Sequence, residues 1–432
     1  MDEVEFRRLL TLGLGRAILF GREHDVSAFR DLILDACINC YAIDPQCEGT
    51  RADFMLDLVN ELPDSEYFLQ GVLSSLSNCG DDWHAKQRFR FAARLAKDGN
   101  EKVKRTMYES FVPGPNMGEA IAIDFMNLDG MGGFLFAVER LGKLLSGNPK
   151  HVDLGWLMSA AAEHFGEQGA WGGLRREASR NPLVQTYLSA VEDLNAKTEH
   201  SSVTNSIKGS SYDQLKTRLP IKSPSRLGFW GQHASDDDLL QAAHGLRTAT
   251  DVEMQRSHLA IFRRRRFPLD HSILFQFAHS SNEQIQWAAL SALAQITDPA
   301  VRDLAICLVQ TKARWRELAI NLLRLNFRPG DHEIVLEWFG TEGEMETLHT
   351  ESRGLVAFWS ANPSEELHNR MLLSLYEKCP CSFCREDAVS SLIERNALPK
   401  HIRAECVWDA NEDIRELVKP VEGKVEGAQG KS

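Results

Sequence analysis

Between Ile285 and Leu323 the sequence writes one pattern three times. Ile285, Ala288, Ala289, Ala292, Leu293 and Ile296 stand at i, i+3, i+4, i+7, i+8 and i+11. Val301, Leu304, Ala305, Leu308 and Val309 follow the same template, and Trp315, Leu318, Ala319, Leu322 and Leu323 follow it again. Each set is a wide apolar stripe along one face of a helix. The joints are very short. One holds Asp298-Pro299, which caps a helix and starts it, and another is the segment from Gln310 to Lys312. Joints that short force neighbouring helices to pack antiparallel. A single such helix cannot bury its stripe, but stacked pairs bury one another's, with a unit of about 30–40 residues.

The helical reading extends along the chain. Asp331 to Phe339, Met345 to Trp359, Ser364 to Lys378, Arg385 to Asn396 and Ile402 to Trp408 are predicted helices. They are punctuated by Arg328-Pro329-Gly330-Asp331, Asn362-Pro363 and Asn396 through Pro399. The N-terminal part is helical with blurred repeats. Phe6, Leu9, Leu10, Gly13, Leu14, Ala17 and Ile18 share one face; Phe89, Ala92, Ala93 and Ala96 share another. Met131 to Leu145 is predicted as a more fully buried helix. A compositional break at 197–235 is rich in Ser, Thr and Lys. Lys197, Lys208, Lys216, Arg218, Lys222 and Arg226 outnumber Glu199 and Asp213 there, and it is read as a basic linker or loop. Asp236-Asp237-Asp238 then opens a helix at the positive end of its dipole. Four segments result: a helical block at 1–196, the linker at 197–235, a repeat block at 236–420 and a flexible tail at 421–432.

With Asp298-Pro299-Ala300-Val301-Arg302 followed by Ala305 on the page, the chain resembles HEAT-repeat proteins of the armadillo-like α-solenoid class. In that family the second helix of a unit often opens with Asp or Asn, then Val or Ile, then a cation and small buried residues. Asn282, Ile285, Ala288, Ala289 and Leu290 resemble the same signature. Arg316 with Ala319, Arg385 with Ala388, and Asn411, Ile414, Arg415 with Val418 are looser echoes. The resemblance is clearest over 269–420. It implies an all-α solenoid of antiparallel helix pairs in two helical blocks, and a scaffold that binds another macromolecule along its concave face.

Charge narrows the partner. With 49 Lys and Arg against 61 Asp and Glu, the net charge is −12, which disfavours nucleic acid because phosphate binding is driven by cations. The strongest cationic run is Arg263, Arg264, Arg265 and Arg266 between Phe262 and Phe267. It is read as a patch for an anionic partner, joined by Arg302, Arg314 and Arg316 near helix starts. The competing reading pairs it within the chain, with Asp236 to Asp238 and Asp251. The opening MDEVEFRRLL lacks the regions of a signal peptide, and no apolar run approaches the roughly 20 residues that span a bilayer. Nine Cys, an odd number, fit a reducing cytoplasmic setting.

Other motifs carry chemistry less well. Cys379, Cys381 and Cys384, with Cys406 or His401, have zinc-like crowding but form only one close group. Cys37 and Cys40, with Cys47, are a similar case upstream, but on a helix Cys37 and Cys40 share a face and read as buried free thiols. Cys379 and Arg385 match a phosphatase-loop spacing without its Gly or its preceding strand. Asp129-Gly130-Met131-Gly132-Gly133 is a turn entering a buried helix rather than a nucleotide loop. Trp287 with Asp298 or Asp303 resembles the aromatic-plus-carboxylate arrangement of HEAT-like glycosylases for alkylated DNA. His233, His244, His258, His271 and His279 lack metal-ligand spacing and read as solvated or capping residues. The expectation is a non-catalytic cytoplasmic scaffold for a protein partner, with no cofactor and no membrane. A nucleic-acid-directed repair protein and a metal-stabilised adaptor stand beside it.

Overall fold

A computed structural model describes residues 1–78, 80–147, 154–204, 207, 209–221, 224–311, 315–338, 345–361 and 365–419. The described residues form 26 α-helices and no strand. Extensive pairwise packing of helices is consistent with a helical-repeat fold. The chain divides into two compact units: Met1–Ser202 together with Pro380–Ser432, and Val203–Cys379.

In the second unit the helices Pro224–His233, Val252–Ile261, Glu283–Leu293, Arg316–Arg324 and Met345–Ala361 form an inner ladder, each packed on its successor. Asp236–Thr248, Ser272–Ala278 and Pro299–Gln310 pair with the helices that follow them. The stripes read from sequence are the packing surfaces: Ile285, Ala288, Ala289, Ala292, Leu293, Ile296, Val301, Ala305, Leu318, Ala319, Leu322 and Leu323 are buried. Ser235, Asp251, Asn282 and Asp298 cap the helices that follow through their side chains. Hydrogen bonds and ion pairs between neighbouring helix pairs join residues 27 to 32 apart, among them His271–Asp298, Arg302–Asp331, Trp315–Gln286 and Gln295–Arg263. That recurring interval is consistent with a helical-repeat packing.

Among the described residues, the 197–235 segment is largely helical rather than a loop. The helix Pro182–Thr204 runs into it, Tyr212–Lys216 opens with a capping box from Ser211 and Gln214, and Pro224–His233 joins the inner ladder. Its few apolar side chains are the reason. Tyr212, Leu215, Leu227 and Trp230 are all buried, and the Trp230 indole N–H donates to Ser210 O at 2.8 Å. An average over Ser and Lys content hides four well-placed anchors.

The first unit uses the same logic with a longer interval. Several of its inter-helix polar contacts join residues 34 to 38 apart, as in Lys86–Asp124, Arg90–Asp53 and Arg51–Gln87, and others span from 17 to 68. The helix Trp83–Lys97 is the hub, packing on Arg30–Ile38, Ala52–Asn60, Ser65–Ser75, Glu101–Ser110 and Gly118–Gly147. Phe89, Phe111, Phe125 and Phe136 make a continuous ring cluster beside it, with centroids 4.7–5.9 Å apart along its contacts. Gly118–Gly147 is long and apolar enough to cross a bilayer, a run the sequence reading did not anticipate. It breaks at Asp129–Gly130, where Gly130 takes φ 58°, and buries Ile121, Phe125, Phe134, Val138 and Leu141 in the unit's core.

The helices Ser382–Glu394, Lys400–Cys406 and Glu412–Val418 belong to this first unit, not to the block of 236–420 expected from the repeat signature. They pack against the start of the chain. Ala410 N donates to Gly13 O at 2.8 Å, Arg16 pairs with Glu405 at 2.8 Å, and Arg415 pairs with Asp57 at 3.2 Å. Gly15 permits the approach, because a Cβ there would lie 2.0 Å from Glu405 O. Periodicity identifies a repeat without stating which neighbour it stacks on. The tail at 421–432 lies outside the described residues.

Candidate functional site

The arginine run sits on the turn that ends Val252–Ile261 rather than on a helix, and its members part company. Arg263 is half-buried and lies over the Trp287 ring, 4.5 Å from its centroid. Arg264 donates to Gln232 at 3.1 Å, and Arg265 pairs with Asp236 at 2.9 Å, one of the intramolecular partners expected. Arg266 is exposed. Arg302 is committed to the buried Asp331 at 2.5 Å, and Arg316 is itself buried; Arg314 lies outside the described residues. Arg302 and Arg316 are therefore taken up inside the fold, apart from the run at Arg263–Arg266.

What the structure does assemble is a groove of about 320 Å³ across three inner-ladder positions. Arg256 and Ala260 come from Val252–Ile261, Glu283 and Trp287 from Glu283–Leu293, and Trp315 from the turn before Arg316–Arg324. Trp287 and Trp315 are half-buried, and the Trp315 indole N–H donates to Gln286 Oε1 at 2.8 Å. The groove thus joins two indoles and the Arg256 guanidinium, residue types enriched at protein-binding surfaces, and Arg263 lies on the Trp287 ring beside it.

A second polar region, in the first unit, escaped the sequence reading. Lys86, Arg90, Arg94 and Lys97 recur at i, i+4, i+8 and i+11 on Trp83–Lys97, on the face flanking the alanine stripe already recognised. Asp124 is wholly buried and bound by Lys86 at 2.6 Å and Arg90 at 3.3 Å; Asp53 pairs with Arg90 at 3.2 Å and Arg94 at 2.7 Å. Burial lowers the Lys86 pKa, with Asp124 opposing. Two hollows share Arg90: one of about 350 Å³ reaching Trp83, Phe383 and Arg415, and one of about 230 Å³ reaching Lys97 and His164.

The remaining motifs are placed as follows. Cys37, Cys40, Cys381, Cys384 and Cys406 are buried, and burial pushes the thiols of Cys37 and Cys40 up. Cys47 is exposed at the larger hollow, with its thiol pushed up by Asp44. Arg385 is fully buried against Asp409 at 3.2 Å inside the first unit, and Cys379 is preceded by a helix, so the phosphatase-loop spacing is a coincidence of sequence. Asp129 is held by Lys104 and Tyr108 at the helix break, the turn expected for that glycine-rich stretch. Asp298 caps Pro299–Gln310 and pairs with His271 at 3.1 Å; Asp303 is exposed on that helix. His233, His244 and His279 are exposed. His258 departs from expectation: it is buried, with Nδ1 2.7 Å from Met254 O and Nε2 2.8 Å from the Tyr212 hydroxyl. The described residues are consistent with a helical protein lacking an obvious active site. No family model, curated protein or solved structure matches the chain.

Proposed function

We propose that this chain is a helical-repeat scaffold of the HEAT or armadillo-like kind, cytoplasmic, which binds a segment of a partner protein and performs no chemistry on it. The observation that carries the reading is the Trp287 groove, with Arg263 stacked on the indole and walls from three successive positions of the ladder. Repeat proteins present the faces of successive helices to their partners. A groove built across them offers a partner segment contacts from three successive helix positions at once. Among the described arginines, Arg302 and Arg316 are spent inside the fold and Arg265 is paired with Asp236, which leaves Arg263, over the Trp287 ring, with Arg264 and Arg266 on the same turn as the contact set.

The test is quantitative binding of a partner identified by cross-linking and mass spectrometry. Trp287→Ala, and separately alanine at all four of Arg263–Arg266, are expected to weaken it at least tenfold while the circular dichroism spectrum is unchanged. Unchanged affinity in both variants removes the proposal. The nucleic-acid reading finds little support: Asp298, the carboxylate it would recruit, is engaged in capping and in the pair with His271. Anisotropy with duplex DNA at physiological salt separates the two, since saturable binding there would favour the repair-like alternative.

A further inference from the structure

The smaller hollow of the first unit has a lining unlike the Trp287 groove. Arg90, Arg94 and Lys97 stand at i, i+4 and i+7 on Trp83–Lys97; Asn127 comes from Gly118–Gly147 and His164 from Trp156–Phe165. Three helices thus bring donors to one space. Asp124 is the one carboxylate of the lining, and both its oxygens are taken, by Lys86 and Arg90. It anchors Arg90 rather than neutralising its neighbours. Asp53, outside the lining, engages Arg94 through Nε and Arg90 through Nη2. Among the described residues neither Lys97 nor His164 has an ion-pair partner. The result is a local cationic excess in a chain of net charge −12.

We infer that this hollow binds a phosphomonoester group. Its volume of about 230 Å³ suits one polar group rather than a drug-sized molecule, whose pockets begin near about 300 Å³. A phosphoryl group brings about two negative charges and three acceptor oxygens. Arginines converging with a lysine and an amide supply that charge and those hydrogen bonds from several directions. A single carboxylate would leave most of these donors unused. This site is independent of the Trp287 groove and lies in the other unit.

The experiment titrates the full chain with inorganic phosphate, with a phosphoserine peptide and with the unphosphorylated peptide, by calorimetry at matched ionic strength. The expected result is saturable binding of phosphate or the phosphoserine peptide and none of the unphosphorylated peptide. The double variant Arg94→Gln/Lys97→Gln should weaken binding at least tenfold. Lys97→Glu, a change at an exposed side chain, serves as the second variant should the first fail to fold, and should weaken it comparably. A phosphopeptide bound at least tenfold tighter than phosphate means the group is carried by a partner; equal or weaker affinity means a free anion. Absence of saturable binding by the wild type, or equal binding by the folded variants, overturns the inference.

Discussion

Gln87 is wholly buried and performs four backbone tasks at once. Its Nε2 donates to Ala36 O at 2.6 Å, Asn39 O at 2.9 Å and Cys37 O at 3.2 Å, and its Oε1 accepts from Arg51 N at 3.0 Å. The three carbonyls lie at the end of Arg30–Ile38, where a helix has no partners of its own to offer. Gln87→Met keeps the length of the side chain and removes every polar atom. A buried backbone group left without a partner costs about 1–3 kcal/mol. The Arg51 N–H and the Ala36 carbonyl carry most of that, while Asn39 O lies nearer solvent and is partly rehydrated. Burying the thioether recovers only about 1 kcal/mol, so the net loss should be about 3–4 kcal/mol. Gln87→Glu should cost more, because it turns the donor toward three carbonyls into an acceptor. Urea unfolding followed by circular dichroism measures both, and hydrogen exchange at the Arg51 amide reports the local opening. Stability within about 0.5 kcal/mol of wild type in both variants would refute the reasoning.

Asp409→Asn removes the negative charge facing Arg385 in a pair with both side chains fully buried. The expected loss is about 3–5 kcal/mol, whereas the apolar double replacement Arg385→Met/Asp409→Leu should lose less than the single one; the reverse order in urea midpoints would contradict it. His258 titrates below its ordinary value because burial disfavours the cation. The unfolded chain binds a proton near about pH 6.5 and the folded one only at lower pH. The stability this group supplies is therefore present above that value and lost as pH falls toward the folded pKa. Wild type should weaken between pH 7 and pH 5 more steeply than His258→Gln, and equal slopes in the two proteins would show that His258 is not the group responsible.

Much of the helix inventory was legible because apolar spacing is a direct record of burial. The stripes from Ile285 to Leu323 are core, and helices appear close to where punctuation placed them, as at Asp331–Trp338, Met345–Ala361 and Lys400–Cys406. What was not legible is which helix meets which. Ser382–Glu394 resembles its predecessors in sequence, yet the chain past Pro380 packs on residues near Gly13 and Asp57 through contacts that span more than three hundred positions. The site residues were read less well for a related reason. A run of four arginines stands out in sequence, but Arg263, Arg264 and Arg265 each find a different neighbour in space. Lys86, Arg90, Arg94 and Lys97 are spread over three turns and stand out only when the helix is wound.

The buried polar residues explain how so repetitive a core keeps its register. Apolar stripes set the interval between helices but tolerate sliding, since one methyl replaces another at little cost. Gln87 closes the end of Arg30–Ile38. Asn326 accepts from Asp298 N at 2.8 Å and donates to Ile296 O and Leu322 O, each at 2.9 Å. Glu119 accepts from Gly155 N at 2.6 Å and from the Tyr187 hydroxyl, and its pKa is raised by burial with these hydrogen bonds opposing. Each is a buried side chain completing backbone groups at a helix end or joint, where a shift of one residue would strand a donor or an acceptor in the interior. The greasy faces make the stack stable, and these few polar residues make it stack in one way. That is why their loss should be felt far more sharply than the loss of a methyl group from the stripes beside them.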